Sequence, residues 1–154
     1  MGGKWTTYRH MAEDCVDQAA TLAQLPERRC ETGNLHIHGF HADAKQFGSL
    51  WMYGADALEI RKLIEEEPGL GEKLHPDLPY VKAEFIWGTR HEMARTVEDV
   101  LARRTRALFL NAPAASAMAP SVADLMAPEL GWDEAAKAAQ IAAFRSVAFN
   151  YSLR

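Results

Sequence analysis

Between Tyr8 and Leu22 apolar side chains return at helical steps: Tyr8, Met11, Cys15, Val16, Ala19 and Leu22. Spacing of three and four residues lines them along one helix face. Thr6 or Thr7 can cap the start, and Pro26 forbids much extension. The pattern therefore predicts a helix from about Thr7 to Leu25, with Cys15 on its core side. Residues 26–43 (PERRCETGNLHIHGFHAD) lose the period and are punctuated by Gly33-Asn34 and Gly39, which reads as a long connecting loop.

The helical period resumes beyond that loop. A short helix is expected over Ala44–Met52, and another over Asp56–Glu67 with Leu58, Leu63 and Ile64 inward and Pro68 as its stop. LGEKLHPDLPY is a second loop. Pro79 suits the first turn of a helix that runs to about Met93, with Val81, Phe85 and Trp87 toward the core. Thr96-Val97-Glu98-Asp99 has the shape of a loose capping box. It opens a segment whose apolar face is Val100, Leu101, Leu108, Phe109 and Leu110. Ala112–Leu130 is alanine-rich and helical, with Val122, Leu125 and Met126, but Pro113, Pro120 and Pro128 predict breaks or kinks. Gly131 ends it. Asp133 caps a last helix to about Tyr151, burying Ala136, Ile141, Phe144, Val147 and Ala148. Only Leu35–His38 alternates as a strand would. The expected fold is all-α: a compact bundle of about six helices with two longer loops.

Composition narrows the setting. The 154 residues are 48% hydrophobic, enough for one sizeable core. A formal charge of −4 gives no overall pull toward nucleic acid. Cys15 and Cys30 are the two cysteines and lack CxxC spacing, so a reducing interior fits better than a disulfide framework. Lys4 is followed by polar residues, not by the apolar core of a signal peptide. No run approaches the ~20 apolar residues that span a bilayer, so membrane contact is expected at the surface or through another part of the protein.

Several patterns invite chemistry. His36-x-His38 with His41 nearby can reach one ion from an extended loop, but no carboxylate or thiolate stands at a familiar ligand spacing, and no metal is expected. His91-Glu92-x-x-Arg95 begins like a zinc-protease motif, yet Arg95 stands where the second histidine belongs. There is no nucleophile elbow, Walker loop or GxGxxG. Arg103-Arg104-Thr105-Arg106 is the most basic stretch. Glu98 and Asp99 upstream can pair with it, so a salt-bridged face or a domain contact is expected, not nucleic-acid binding. A stand-alone helical interaction module that docks through Arg103–Arg106 is the alternative reading of the whole chain. GGKWTTYR, ahead of the first helix, has the parts of an anion site: glycines for close approach, a helix start, and donors from Lys4, Thr6 and Thr7. An expression scar joined to an ordinary capped helix has the same appearance.

GGKWTTYRHMAED resembles the segment that ends the flavin domain of FAD-dependent glycerol-3-phosphate dehydrogenases and enters their C-terminal helical domain. RHEMARTVEDVLARRTRALFLNA resembles the central signature of that helical domain. LGEKLHPDLPY and ELGWDEAAKAAQIAAFR match the same family in order, so the resemblance runs from Gly2 to about Tyr151. It implies that residues 1–8 are the tail of the flavin domain and 9–154 a helical cap. Cofactor-binding residues would be Gly3, Lys4, Thr6 and Thr7, facing the flavin pyrimidine end, with Lys4 also near the substrate phosphate. The implied parent reaction takes sn-glycerol 3-phosphate to dihydroxyacetone phosphate, with electrons passing through FAD to a quinone or to oxygen. The implied partners are the chain's own N-terminal flavin domain and, through the parent, glycerol 3-phosphate and quinone. Exposed faces would serve domain contacts or a homo-oligomer. The implied location is the cytoplasm, peripheral on the inner face of the membrane. The chain alone is expected to be inactive, without a catalytic residue of its own and without bound FAD. NLHIHGFHADAKQF, Asn111, Pro113 and Pro128 depart from the family pattern, so no role for the histidine loop follows from it.

Overall fold

The computed structural model describes residues 3–152, all-α among those residues, with no strand and one isolated bridge between Lys73 and Val81. The chain divides into two compact units, one ending at Phe40 and the other beginning at His41.

In the first unit a 3₁₀ turn, Trp5–Thr7, runs straight into helix α1, Tyr8–Leu22. Neither Thr6 nor Thr7 caps it as expected. The start has no side-chain cap, because the Thr7 hydroxyl donates back to the Lys4 carbonyl at 3.0 Å. No residue between 3 and 40 is buried. Cys15, expected in the core, is exposed. The apolar stripe is real, but this unit has one helix and no second element to cover it; an amphipathic face is buried only when something packs on it. Leu35–His38 forms no strand.

The second unit carries the core. Residues 44–56 make 3₁₀ turns broken at Gly48 (φ 63°, ψ −125°) and Gly54 (φ 56°, ψ −127°), backbone shapes open essentially to glycine alone. Helix α2 is Ala57–Glu66, and Pro68 stops it by opening a 3₁₀ turn. Ala57 and Ile60 are its buried residues; Leu58 points outward, contrary to expectation, and Leu63 and Ile64 are half-buried. Helix α3, Lys82–His91, starts three residues after Pro79 and ends before Met93. The residues between are held in extended backbone: Lys82 N–H donates to Glu72 O at 3.0 Å and Leu74 N–H to Tyr80 O at 3.4 Å.

Helix α3 lies between two apolar clusters. Phe85 joins Tyr80, Val97, Leu101, Leu108, Met118, Val122 and Phe144. Ala83, Ile86 and Trp87 join Phe47, Leu50, Ile60 and Leu70. A helix covered on both sides has no polar face to show. The Thr96–Asp99 box forms in full: Asp99 N–H donates to Thr96 Oγ1 and Thr96 N–H to Asp99 Oδ2, each at 3.0 Å. It opens a turn that widens into a π-helix over Asp99–Arg104, closed by Thr105 N–H to Val100 O at 3.0 Å. Helix α4, Ala107–Leu110, buries Ala107 and Leu108, whereas Phe109 and Leu110 are exposed.

Helix α5, Ala112–Leu130, packs on α3, α4 and α6. It runs unbroken through Pro120 and Pro128; the expected breaks do not occur. Pro113 sits in the first turn, where no N–H bond is lost. On both sides of Pro120 the buried Met118, Ala119, Val122 and Ala123 pack into the core, which offsets a proline cost of ~3 kcal/mol. Gly131 (φ 67°) ends α5, its N–H and that of Trp132 both reaching Ala127 O. Helix α6, Glu134–Phe149, is capped by Asp133, whose Oδ1 accepts from Ala136 N–H at 2.7 Å. It buries Phe144 and Ala148; Ala136, Ile141 and Val147 are half-buried.

Candidate functional site

The four residues singled out in the sequence lie together at the start of the first unit. Gly2 of the motif falls outside the described residues. Gly3, Lys4, Thr6 and Thr7 are all exposed. The uncapped helix start leaves its first N–H groups without intrahelical partners, and they carry a partial positive charge. The Lys4 ammonium pairs with no carboxylate among the described residues. Trp5 and Tyr8 stack alongside, with centroids 5.3 Å apart and rings inclined by 28°.

The donor set suits a ring edge that gathers negative charge: one ammonium, one exposed hydroxyl at Thr6 and uncapped backbone N–H groups. Two details refine it. The Thr7 hydroxyl is turned inward, donating to Lys4 O and lying 3.7 Å from Met11 Sδ. A Cβ built at Gly3 would stand 2.1 Å from Met11 Sδ, so the missing side chain makes room for Met11.

The other patterns resolve differently. His36 stacks on Phe40 at 3.7 Å. His41 packs edge-on to Phe47 and accepts from Asp43 N–H at 3.1 Å. Among the described residues no group of three His, Cys, Asp or Glu side chains is arranged to hold a metal ion. Arg103 pairs with Glu98 at 2.6 Å and Asp99 at 3.0 Å. Arg104 donates twice to the Glu92 carbonyl, at 2.9 and 2.6 Å. The basic run is thus largely a salt-bridged helix face. Arg95 donates to the carbonyls of Thr89 and Ala94, so the protease-like motif is structural. In the first unit Arg9 joins Glu13 at 2.9 Å and lies 3.8 Å from Cys30 Sγ.

One cluster escaped the sequence reading. Glu84 is 2% exposed. Its Oε2 accepts the Val81 N–H at 2.8 Å, the returning half of a capping box. Burial pushes its carboxyl up to about 7, against the Val81 N–H and the Tyr53 hydroxyl, which favour the charge. Burial, then the Glu84 and Glu92 charges, pushes the Tyr53 phenol far above its usual range. Burial also raises Glu92, opposed by Arg104. Trp87, stacked on His91 at 4.0 Å, buries an Nε1–H that has no partner at hydrogen-bond distance among the described residues, although it acts on the Glu92 carboxyl and favours its charge. The sequence signal was slight: an acid three residues after the start of an apolar-rich helix.

Comparison with known proteins places these features. The chain is 38% identical to the probable mitochondrial glycerol-3-phosphate dehydrogenase of Caenorhabditis elegans, over 91% of this chain and 22% of that protein. It is 35% identical to the mitochondrial glycerol-3-phosphate dehydrogenase of Mesocricetus auratus, over the same shares of 91% and 22%. The Arabidopsis thaliana mitochondrial enzyme is 34% identical over 86% of this chain and 26% of its own length. The chain thus spans about a quarter or less of the curated relatives it matches. No solved structure matches it. The model of the C-terminal domain of alpha-glycerophosphate oxidase matches residues 2–137, and the chain belongs to that family.

Proposed function

We propose that this chain is the C-terminal helical domain of an FAD-dependent glycerol-3-phosphate dehydrogenase. The parent oxidises sn-glycerol 3-phosphate to dihydroxyacetone phosphate and passes two electrons through FAD to a quinone. Residues 1–8 complete the flavin domain, and the rest caps and stabilises it. The observation that carries the reading is the first unit. It has no buried residue, and it exposes Trp5 at 84%, Tyr8 at 60%, Val16 at 66% and Leu22 at 86%. A lone helix of this length is marginal in water and takes its stability from packing its apolar face. A flavin domain on the amino-terminal side is the surface this reading puts against it.

The flavin, when bound, supplies the electron-accepting chemistry. This chain's contribution is electrostatic. Lys4, Thr6 and the backbone N–H groups of Trp5 and Thr6 offer positive charge and donors to a ring edge that becomes anionic on reduction, while the Thr7 N–H is engaged by Lys4 O at 3.0 Å. Lys4, exposed on extended backbone (φ −81°, ψ 147°), also serves the substrate phosphate. Gly3 acts by admitting Met11, and Thr7 by bracing the Lys4 carbonyl. No helix among the described residues is long and apolar enough to cross a membrane. The reading places the enzyme in the cytoplasm, where it meets the inner face of the membrane through its surface.

Measurements in two settings test this. The chain alone should show no flavin absorbance and no dye reduction with glycerol 3-phosphate. Joined to a flavin domain of the same family, residues 3–40 should gain at least tenfold amide-exchange protection, and Lys4→Ala should slow flavin reduction. Turnover by the chain alone, or equal exchange in both settings, refutes the proposal.

A further inference from the structure

Exposed apolar side chains gather on one face of the second unit. Phe109 of α4 meets Tyr151, just past the end of α6, with ring centroids 5.5 Å apart and planes inclined by 82°. Leu110 follows Phe109 in the chain, and Phe149 lies two residues before Tyr151. Phe109 is 56% exposed, Leu110 62%, Phe149 64% and Tyr151 51%. The same helices bury Leu108, Phe144 and Ala148 in the core, so the face is held in place. Single apolar residues scattered on a surface need no explanation, but four large ones on two adjoining helix ends mark a contact surface.

The charge on this face has one sign. Residues 105–111 and 144–152 include Arg106 and Arg145 and no Asp or Glu. Arg103 and Arg104 are held by Glu98, Asp99 and Glu92. Arg106 and Arg145 are exposed, with no carboxylate at ion-pair distance among the described residues. The backbone of Arg106 is also fixed. Thr105, 1% exposed, donates both its N–H, at 3.0 Å, and its hydroxyl, at 2.9 Å, to Val100 O. Arg106 then takes φ 60° and ψ 16°, a left-handed shape strained for an arginine, and its carbonyl accepts the N–H groups of Phe109 and Leu110 at 3.0 and 3.2 Å.

A cation set on fixed backbone gains most against a carboxylate that is fixed as well. A fluid lipid surface offers none, and a second copy of this face would set cation against cation. A folded protein surface with a carboxylate beside an apolar recess fits. We infer that this face docks the second unit on the flavin domain of the parent: Arg106 pairs with a carboxylate of that domain, and Phe109, Leu110, Phe149 and Tyr151 fill the recess beside it. The inference rests on the reading of the chain as the cap of a flavin domain. The relatives leave ample surface for it, since the chain spans about a quarter or less of their length.

Hydroxyl-radical footprinting of side chains tests this on the chain alone and on the chain joined to a flavin domain of the same family. Labelling of Phe109, Phe149 and Tyr151 should fall about fivefold or more on joining. Arg106→Glu should leave the urea midpoint of the chain alone unchanged and return Phe109 labelling in the joined protein to about half the free level or more. Labelling in the joined Arg106→Glu protein as low as in wild type overturns the pairing. Should that variant fail to fold, the wild-type comparison decides. If residues 3–40 gain amide-exchange protection on joining while the three rings stay labelled, the inference falls and the flavin reading stands. If neither changes, both fall. Loss of labelling on phosphatidylglycerol vesicles, or with rising concentration of the chain alone, puts lipid or a second copy on the face and overturns the inference.

Discussion

Arg90 and Glu129 meet in a two-point ion pair that ties α3 to α5, Nε to Oε2 at 2.8 Å and Nη2 to Oε1 at 2.7 Å. The side chains are 43% and 21% exposed, so water screens part of the attraction. The bond to Arg90 nevertheless holds the Glu129 carboxyl below its usual range. After that discount, Arg90→Ala should cost about 1 kcal/mol, more than an ordinary surface pair because the fork geometry is satisfied twice. Denaturant unfolding of Arg90→Ala, Glu129→Gln and the double variant measures the coupling. A double variant equal to the sum of the singles would show that the pair contributes nothing.

The cap of α5 is a second, local determinant. Asn111 Oδ1 accepts the Ala114 N–H at 3.0 Å, on extended backbone one residue before the helix. Asn111→Ala should destabilise the unit by about 1 kcal/mol, and Asn111→Asp should be near neutral. Urea midpoints for the two variants check this; equal losses would mean that the side-chain oxygen is not the cap.

The sequence disclosed local signals well and burial poorly. Asp133, Gly131 and the Thr96–Asp99 box were readable because caps and stops depend on a few neighbouring residues, and each forms as expected. The family was readable because GGKWTTYR and RHEMARTVEDVLARRTRALFLNA are long and ordered. Pro120 misled: a proline's local cost says nothing of the packing that holds the helix on both sides of it. Cys15 misled for the converse reason, since its stripe has nothing within its own unit to meet. Glu84 was invisible because an acid in a sequence looks solvated. Its burial arises when distant segments, the one carrying Tyr53 among them, fold against α3.

Gly88 is buried in the middle of α3, where glycine weakens a helix. A Cβ there would meet Arg104 Cγ at 3.7 Å and Glu92 Oε2 at 3.8 Å, ordinary contact distances. Gly88→Ala should therefore stabilise the unit by about 0.5–1 kcal/mol. Thermal unfolding that shifts downward would show that the space beside Arg104 and Glu92 lacks the room those distances indicate.

Phe144 is 1% exposed and joins α6 to the cluster around Met118 and Met126 on α5. Truncation leaves a cavity that surrounding helices fill only in part. Phe144→Ala should cost about 3–5 kcal/mol, and Phe144→Leu clearly less. Guanidinium unfolding monitored by far-UV circular dichroism distinguishes the two. A loss under about 1 kcal/mol for Phe144→Ala would place α6 outside the cooperative core.

Stability against pH should have two limbs of opposite origin. Burial raises Asp99, but the N–H groups of Arg95 and Thr96, the Thr96 side chain and Arg103 outweigh it and hold the carboxyl low. Glu129 is low through Arg90. For such depressed groups stability is present above the unfolded value and is lost as pH falls through the folded one, so this limb drops below about pH 4. Glu84 has the reverse sign. Its folded value, about 7, lies above the ordinary glutamate value of 4.5, so its contribution is complete below 4.5 and is lost as pH rises toward 7. The difference corresponds to about 3 kcal/mol. Unfolding free energies from pH 3 to 9 should therefore peak near pH 4.5–5 for these groups. In Glu84→Gln the decline between 4.5 and 7 should shrink to the part left by Glu92, whose carboxyl burial also raises, while the acid limb remains. A wild-type curve that rises steadily from pH 5 to 7 would show that Glu84 ionises freely in the folded chain.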